Sequence, residues 1–237
     1  IPSCTDGMLA GLGKIALETG CHVQTHCSES DWQHRYVLER HGCHDAHSLD
    51  SFGLLKPNTV LAHANFIDED DMALISSRKS AVAHCPLSNF YFSNAVLPVR
   101  KLVKSAIDVG LGTDISGGFN PSIFNACAMA VTSSRALEEG VDASLSPNER
   151  SQPNSRIDFK ESFWMATTGG GRALDLKIGL IKPEYSLDAI VIDTSVVESN
   201  LRIWKGLDSI EDVLQKIIHN AHRVNIKKVW VQGKQVK

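Results

Sequence analysis

No Cys-x-x-Cys pair occurs in this chain, although six cysteines are present at irregular gaps: Cys4, Cys21, Cys27, Cys43, Cys85 and Cys127. That absence excludes the zinc deaminases built on His-x-Glu with Pro-Cys-x-x-Cys. In a chain of 237 residues such thiols read as reduced, which predicts a cytoplasmic location. A basic excess is also missing. The formal net charge is −3, so an electrostatic footprint for nucleic acid is excluded. No apolar run approaches the length of a membrane span, and nothing at the start resembles a signal peptide, so no membrane partner is expected. An initiator methionine is absent too: the chain opens at Ile1, which reads as a processed product or as part of a longer sequence. The length suits one large domain, or one domain with a small appendage.

What is present is a recurring strand end. The segment His22-Val-Gln-Thr-His26 alternates β-branched and polar residues, and Glu29 follows three residues after His26. A strand ending there presents an imidazole at its tip with a carboxylate just beyond. Such a pair suits a hydrolytic metal centre, where the imidazole holds the ion and the carboxylate moves protons. Taken singly, a His near a Glu is more often an ordinary core or surface pair. The pattern returns in Thr59-Val-Leu-Ala-His63, in Ala81-Val-Ala-His84 and in Asp108-Val-Gly-Leu-Gly-Thr-Asp114. Between these runs lie segments long enough for one helix each. Arg35 to His41, Asp68 to Ser77 and Leu97 to Ala106 are predicted helices, the second with an acidic first turn. Apolar strands alternating with helices predict a parallel sheet with crossovers. Functional groups at successive strand C-termini point to the mouth of a (β/α) barrel. An open doubly wound sheet is the alternative, but it gathers its ligands at a switch point of strand order.

Residues 1–180 carry this alternation and read as units of such a (β/α) TIM-like barrel. Gly117 and Gly118, after Asp114, are expected to let the backbone approach a bound ligand. An apolar helix is predicted from Ser122 to Leu137, an exposed loop from Val141 to Arg156, and a helix from Phe159 to Leu174 interrupted near Gly169-Gly-Gly171. Residues 181–237 read as part of a small β-sandwich appendage, with strands at Leu187–Asp193 and Ile226–Gln232 and a helix at Ile210–Ile218. His41, His44 and His47, with Cys43, resemble a metal site by composition. Gly42 and the following polar stretch argue for a helix end and loop, so they read as surface residues, as do His22, His34, His219 and His222.

With these residues assembled, the chain resembles the guanine deaminase branch of the metal-dependent amidohydrolases, almost end to end. The resemblance rests on Thr25-His-Cys-Ser-Glu29, Val60-Leu-Ala-His63, Ala83-His-Cys-Pro-Leu-Ser-Asn89 and Gly112-Thr-Asp-Ile-Ser-Gly-Gly118. Thr167-Thr-Gly-Gly170 and Leu187-Asp-Ala-Ile-Val-Ile-Asp193 match as well. The His, His and Asp strand ends are common to the superfamily, whereas the Gly-Gly after the Asp and His-Cys-Pro-x-Ser-Asn favour the guanine branch. The resemblance implies zinc as cofactor, with His26 and Asp114 as ligands. It implies Glu29 as the proton shuttle, His63 as a hydrogen-bond partner of the attacking water and the tetrahedral adduct, and Asp114 as a second proton acceptor. His84, Ser88 and Asn89 would lie beside a small purine, together with His26, Glu29 and Asp114. A homodimer is the family expectation.

The chain departs from the family at its start. Such enzymes carry His-x-His on the first barrel strand and an Arg-Phe pair for the substrate, and this chain has neither. The match is therefore expected to begin near the end of the fourth strand, with half of the metal shell outside it. These residues alone are then expected to have little or no deaminase activity. The competing readings are an amidohydrolase acting on another purine, a pterin or a triazine, and a non-catalytic scaffold that retains the fold.

Overall fold

The computed structural model describes residues Ile1–Lys237. It is a mixed α/β fold. In chain order it runs α1 (Asp6–Thr19), β1 (Val23–Cys27), α2 (Asp31–His41), α3 (Asp45–Ser51), β2 (Thr59–His63), α4 (Glu69–Ser77) and β3 (Ala81–His84). Then come α5 (Pro86–Phe92), α6 (Val99–Lys104), β4 (Val109–Leu111), α7 (Ile123–Glu139), α8 (Pro147–Arg150), α9 (Phe159–Trp164), a π-helical turn (Met165–Gly169) and α10 (Gly170–Ala173). The last elements are β5 (Ala189–Ile192), α11 (Ile210–Asn220), β6 (Ile226–Val231) and β7 (Lys234–Gln235).

Strands β1 to β4 form one parallel sheet in consecutive order, so it has no switch point of the doubly wound kind. Strands β5 to β7 form a separate antiparallel sheet. Leu61, Val82 and Val109 are register partners in one row across the larger sheet, and all three are fully buried in the main core. Val37, Leu49, Ile75 and Leu102 from the surrounding helices join them there. The next row toward the strand C-termini is His26, Ala62, Ala83 and Gly110. Because the pleat alternates, this row faces the other side, and its small side chains leave room beside His26. No helix is long and apolar enough to cross a membrane.

Several helix starts differ from the sequence reading, each for a local reason. α2 begins at Asp31 because the Ser30 hydroxyl accepts from the Gln33 N–H, and it stops at Gly42 in the left-handed region. Asp45–Ser51 is a helix, not a loop. Asp45 lies in its first turn, fully buried, with its carboxylate accepting from Ser28 Oγ at 3.0 Å and Gln33 Nε2 at 2.7 Å. α5 follows Cys85 with Pro86 in its first turn, where a missing N–H costs nothing. The exposed segment 141–156 contains the short α8, closed by a Ser146–Glu149 capping box. The three glycines at 169–171 do not end their helix; it continues through the π turn into α10. A Cβ on Gly169 would stand 2.3 Å from the Val109 carbonyl oxygen, so the glycine is what lets this helix press against β4.

Candidate active site at the strand ends

His26, Glu29, His63, His84 and Asp114 sit at or just beyond the C-terminal ends of four adjacent parallel strands, β1 to β4. A parallel sheet places these ends on one rim, which is why residues 88 positions apart in sequence can share a site. The backbone there is unusual. Ser28, His63 and Asp114 have φ of +43°, +72° and +48°, in the left-handed region that non-glycine residues avoid. Each such residue costs on the order of 1–3 kcal/mol, and such costs gather where a side chain must be aimed. His63 shows the result. Its register partner Cys27 points into the core behind the sheet, yet the His63 imidazole stacks on His26, with ring centroids 5.4 Å apart and planes 9° apart.

The ligand atoms of His26, Glu29 and His63 lie within 4.8 Å of one another. His63 Nε2 is 3.6 Å from Glu29 Oε1 and 4.0 Å from Asp114 Oδ2. Both distances are too long for hydrogen bonds. The other ring nitrogen, Nδ1, donates to the Asn89 Oδ1 at 2.9 Å, so Nε2 of the neutral ring is an acceptor. It is buried and has no partner. Two carboxylates and the imidazole Nε2 thus converge with no hydrogen bond between them. A cation, or a water held by one, fits that donor set. His26 is exposed, so the cluster is open on one side.

The supporting residues are fixed from behind. The loop bearing Glu29 is tied to the end of β2: Asn65 Nδ2 donates to the Glu29 carbonyl at 2.8 Å, and the Asn65 N–H donates to the Ser28 carbonyl at 3.0 Å. Asn65 went unremarked in the sequence, where an Asn two residues after a strand reads as turn chemistry. His84 is fully buried with Nδ1 unpartnered; burial, and then the neighbouring His63, hold its imidazole down to about 3, so it stays neutral. Ser88 is buried in the first turn of α5 and donates to the Cys85 carbonyl at 3.2 Å. Burial pushes the Cys85 thiol up to about 12, so Cys85 serves as packing and not as a thiolate. A cavity of about 420 Å³ lies between α6 and α9, and none of the candidate residues lines it.

Gly117 also has a role that the sequence does not show. A Cβ there would stand 2.7 Å from Asp114 Oδ2, so the glycine makes room for the Asp114 carboxylate. Gly117→Ala is expected to turn that carboxylate and to lower kcat/KM by about 10–100-fold, because sub-ångström to 1 Å misplacements at a reacting centre cost this much. Steady-state kinetics alongside an unfolding curve check it, and the unfolding midpoint should move little.

The neutral state of His84 sets a second expectation. An unfolded histidine gains its proton below about pH 6.5. The folded one does so only near 3. The folded pKa is depressed, so the contribution is fully present above pH 6.5 and is lost as pH falls from there toward 3. Urea unfolding across this window should show a stability loss, of which a few kcal/mol at most disappears in His84→Asn. An unchanged pH profile in that variant would contradict the assignment.

A model of the amidohydrolase family matches residues 1–236. The chain is 31% identical over 240 residues to guanine deaminase of Dictyostelium discoideum, covering 100% of this chain and 51% of that protein. It is 33% identical over 240 residues to a probable guanine deaminase of Schizosaccharomyces pombe, covering 99% and 44%. The chain thus spans about half the length of these curated relatives. Among solved structures, guanine deaminase from C. acetobutylicum with bound guanine in the active site superposes with a TM-score of 0.86 at 29% identity, over 100% of this chain and 54% of that one.

Proposed function

The chain belongs to the amidohydrolase family, and from that premise we propose that it carries the proton-transfer half of a guanine deaminase site, which converts guanine and water to xanthine and ammonia. The observation that supports this most is the convergence of His26, Glu29 and His63 around an unpartnered, buried Nε2, with Asp114 at the rim. The likeness to a structure holding guanine supports the choice of substrate. On this reading residues 1–180 are the C-terminal part of a (β/α)8 barrel, and 181–237 are part of a β-sandwich whose antiparallel sheet is β5 to β7.

His26 and Asp114 would hold zinc, which supplies Lewis-acid activation of a water molecule when bound. Glu29 takes the first proton from the attacking water and delivers it to the ring, and then passes the second, taken up by Asp114 from the adduct hydroxyl, to the departing amine. A carboxylate suits this work because it changes protonation state twice per turnover. His63 accepts a hydrogen bond from the water through Nε2, with Asn89 fixing the ring from behind. Asp114 takes up the second proton. His84 offers the purine a neutral imidazole, and Ser88 and Asn89 form the first turn of α5 beside it. Water attacks the carbon bearing the exocyclic amine, the C–N bond breaks, and the amine leaves as ammonia. A homodimer and a cytoplasmic location complete the reading.

The test is ammonia release from guanine, adenine, a pterin and an aminotriazine by zinc-loaded protein of the relatives' full length, because residues 1–237 alone are expected to turn over little or nothing. Guanine is expected to be preferred by at least an order of magnitude in kcat/KM. Preference for another ring would move the reading to a different amidohydrolase, and release from none of them, with no zinc held, would favour the scaffold.

A further inference from the structure

His44, His47, Asp68 and Asp71 come together although the sequence reads the two histidines as surface residues. His44 is the residue before α3 and Asp68 the residue before α4, so the two helix starts face each other. His44 Nδ1 is 2.9 Å from Asp71 Oδ2 and 3.4 Å from Asp68 Oδ2. His47 Nε2 is 3.8 Å from Asp71 Oδ1. Ligand atoms of a tetrahedral ion with bonds of about 2.1 Å stand about 3.4 Å apart, close to these separations.

Asp71 makes the cluster more than an acidic patch. Its side chain is fully buried, and Oδ1 has no hydrogen-bond partner. Oδ2 is occupied by the Asp68 N–H at 3.1 Å and by His44. No lysine or arginine pairs with this carboxylate; its only ionic neighbours are the two histidines. A buried carboxylate without a fixed cation is costly. The start of α4 offsets only about half a charge through its dipole, while Glu69 and Asp70 add further negative charge in the same turn. His47 and Asp68 are half exposed, which leaves an approach path for an ion.

We propose that His44, His47, Asp68 and Asp71 form a divalent transition-metal site of zinc type between α3 and α4, sharing no ligand with the cluster at His26, Glu29 and His63. Two imidazoles and two carboxylates select zinc or a similar ion over calcium and magnesium, which take oxygen ligands alone.

The experiment is a calorimetric titration of the chelator-stripped native protein with Zn²⁺, repeated with Co²⁺ for its visible spectrum. The expected result is one Zn²⁺ equivalent that persists in Asp114→Asn and is weakened about 100-fold or more in His44→Gln/His47→Ala. That double variant should lose the tetrahedral Co²⁺ band of this equivalent. If it fails to fold, His47→Ala alone decides, because its side chain is half exposed. Unchanged stoichiometry and affinity in a folded variant, or a single equivalent abolished by Asp114→Asn, overturns the proposal. Neither readout depends on guanine being the substrate.

Discussion

Glu29→Gln is expected to lower kcat for ammonia release from guanine by about 10²–10⁴-fold, the range that a positioned general acid–base contributes. The substitution keeps the shape of the side chain and removes only its ability to accept and return a proton. The Glu29 backbone carbonyl remains held by Asn65, so the loop should stay in place. Zinc content should therefore be unchanged, and the unfolding midpoint should shift little. Equal loss of zinc and activity in this variant would make Glu29 a ligand and leave the shuttle unassigned.

Asp114→Asn should fail in the opposite pattern. Here the zinc affinity falls, by about 10–100-fold or more, and activity falls with it when zinc is limiting. The carboxylate is aimed by a left-handed φ of +48° and by the room that Gly117 leaves beside Oδ2. Asparagine tolerates the same backbone conformation, so a structural collapse is not expected. Metal analysis after dialysis, followed by assay at saturating zinc, separates the two variants: excess zinc restores part of the activity of Asp114→Asn and none of that of Glu29→Gln. Retained zinc affinity in Asp114→Asn would contradict its role as a ligand.

The rim itself was readable because its logic is periodic. Short apolar strands ending in His26, His63, His84 and Asp114 and separated by helix-length segments can form only a few arrangements, and consecutive parallel order is the simplest of them. The parts that escaped the sequence are those set by tertiary contact. α1 contains Gly7, Gly11 and Gly13, each about 1 kcal/mol less favourable in a helix than alanine. It forms because Leu9, Gly13 and Ala16 bury one face, and Gly13 lets it lie against the Phe52 carbonyl, 1.8 Å from where a Cβ would stand. The helix at Asp45–Ser51 likewise depends on Ser28 and Gln33 satisfying a buried carboxylate from other segments.

Sequence spacing places the site's side chains at strand ends but does not give their aim. Strand alternation alone would put His63 beside Cys27, on the core side; its positive φ brings the ring to His26. The pairing of Asn89 with His63 Nδ1 spans 26 positions and leaves no local trace. The meeting of His44 and Asp71 was hidden for the same reason, since they come from different βα units. The contacts are made between two helix starts, so neither helix alone shows them.

The most direct measurement is turnover of guanine by zinc-loaded protein of the relatives' full length in water enriched in oxygen-18, with the product examined by mass spectrometry and ammonia measured in parallel. Xanthine carrying one heavy oxygen is expected, with an equal amount of ammonia. Guanine recovered intact by a folded, zinc-bearing protein, or xanthine formed without the label, would contradict it.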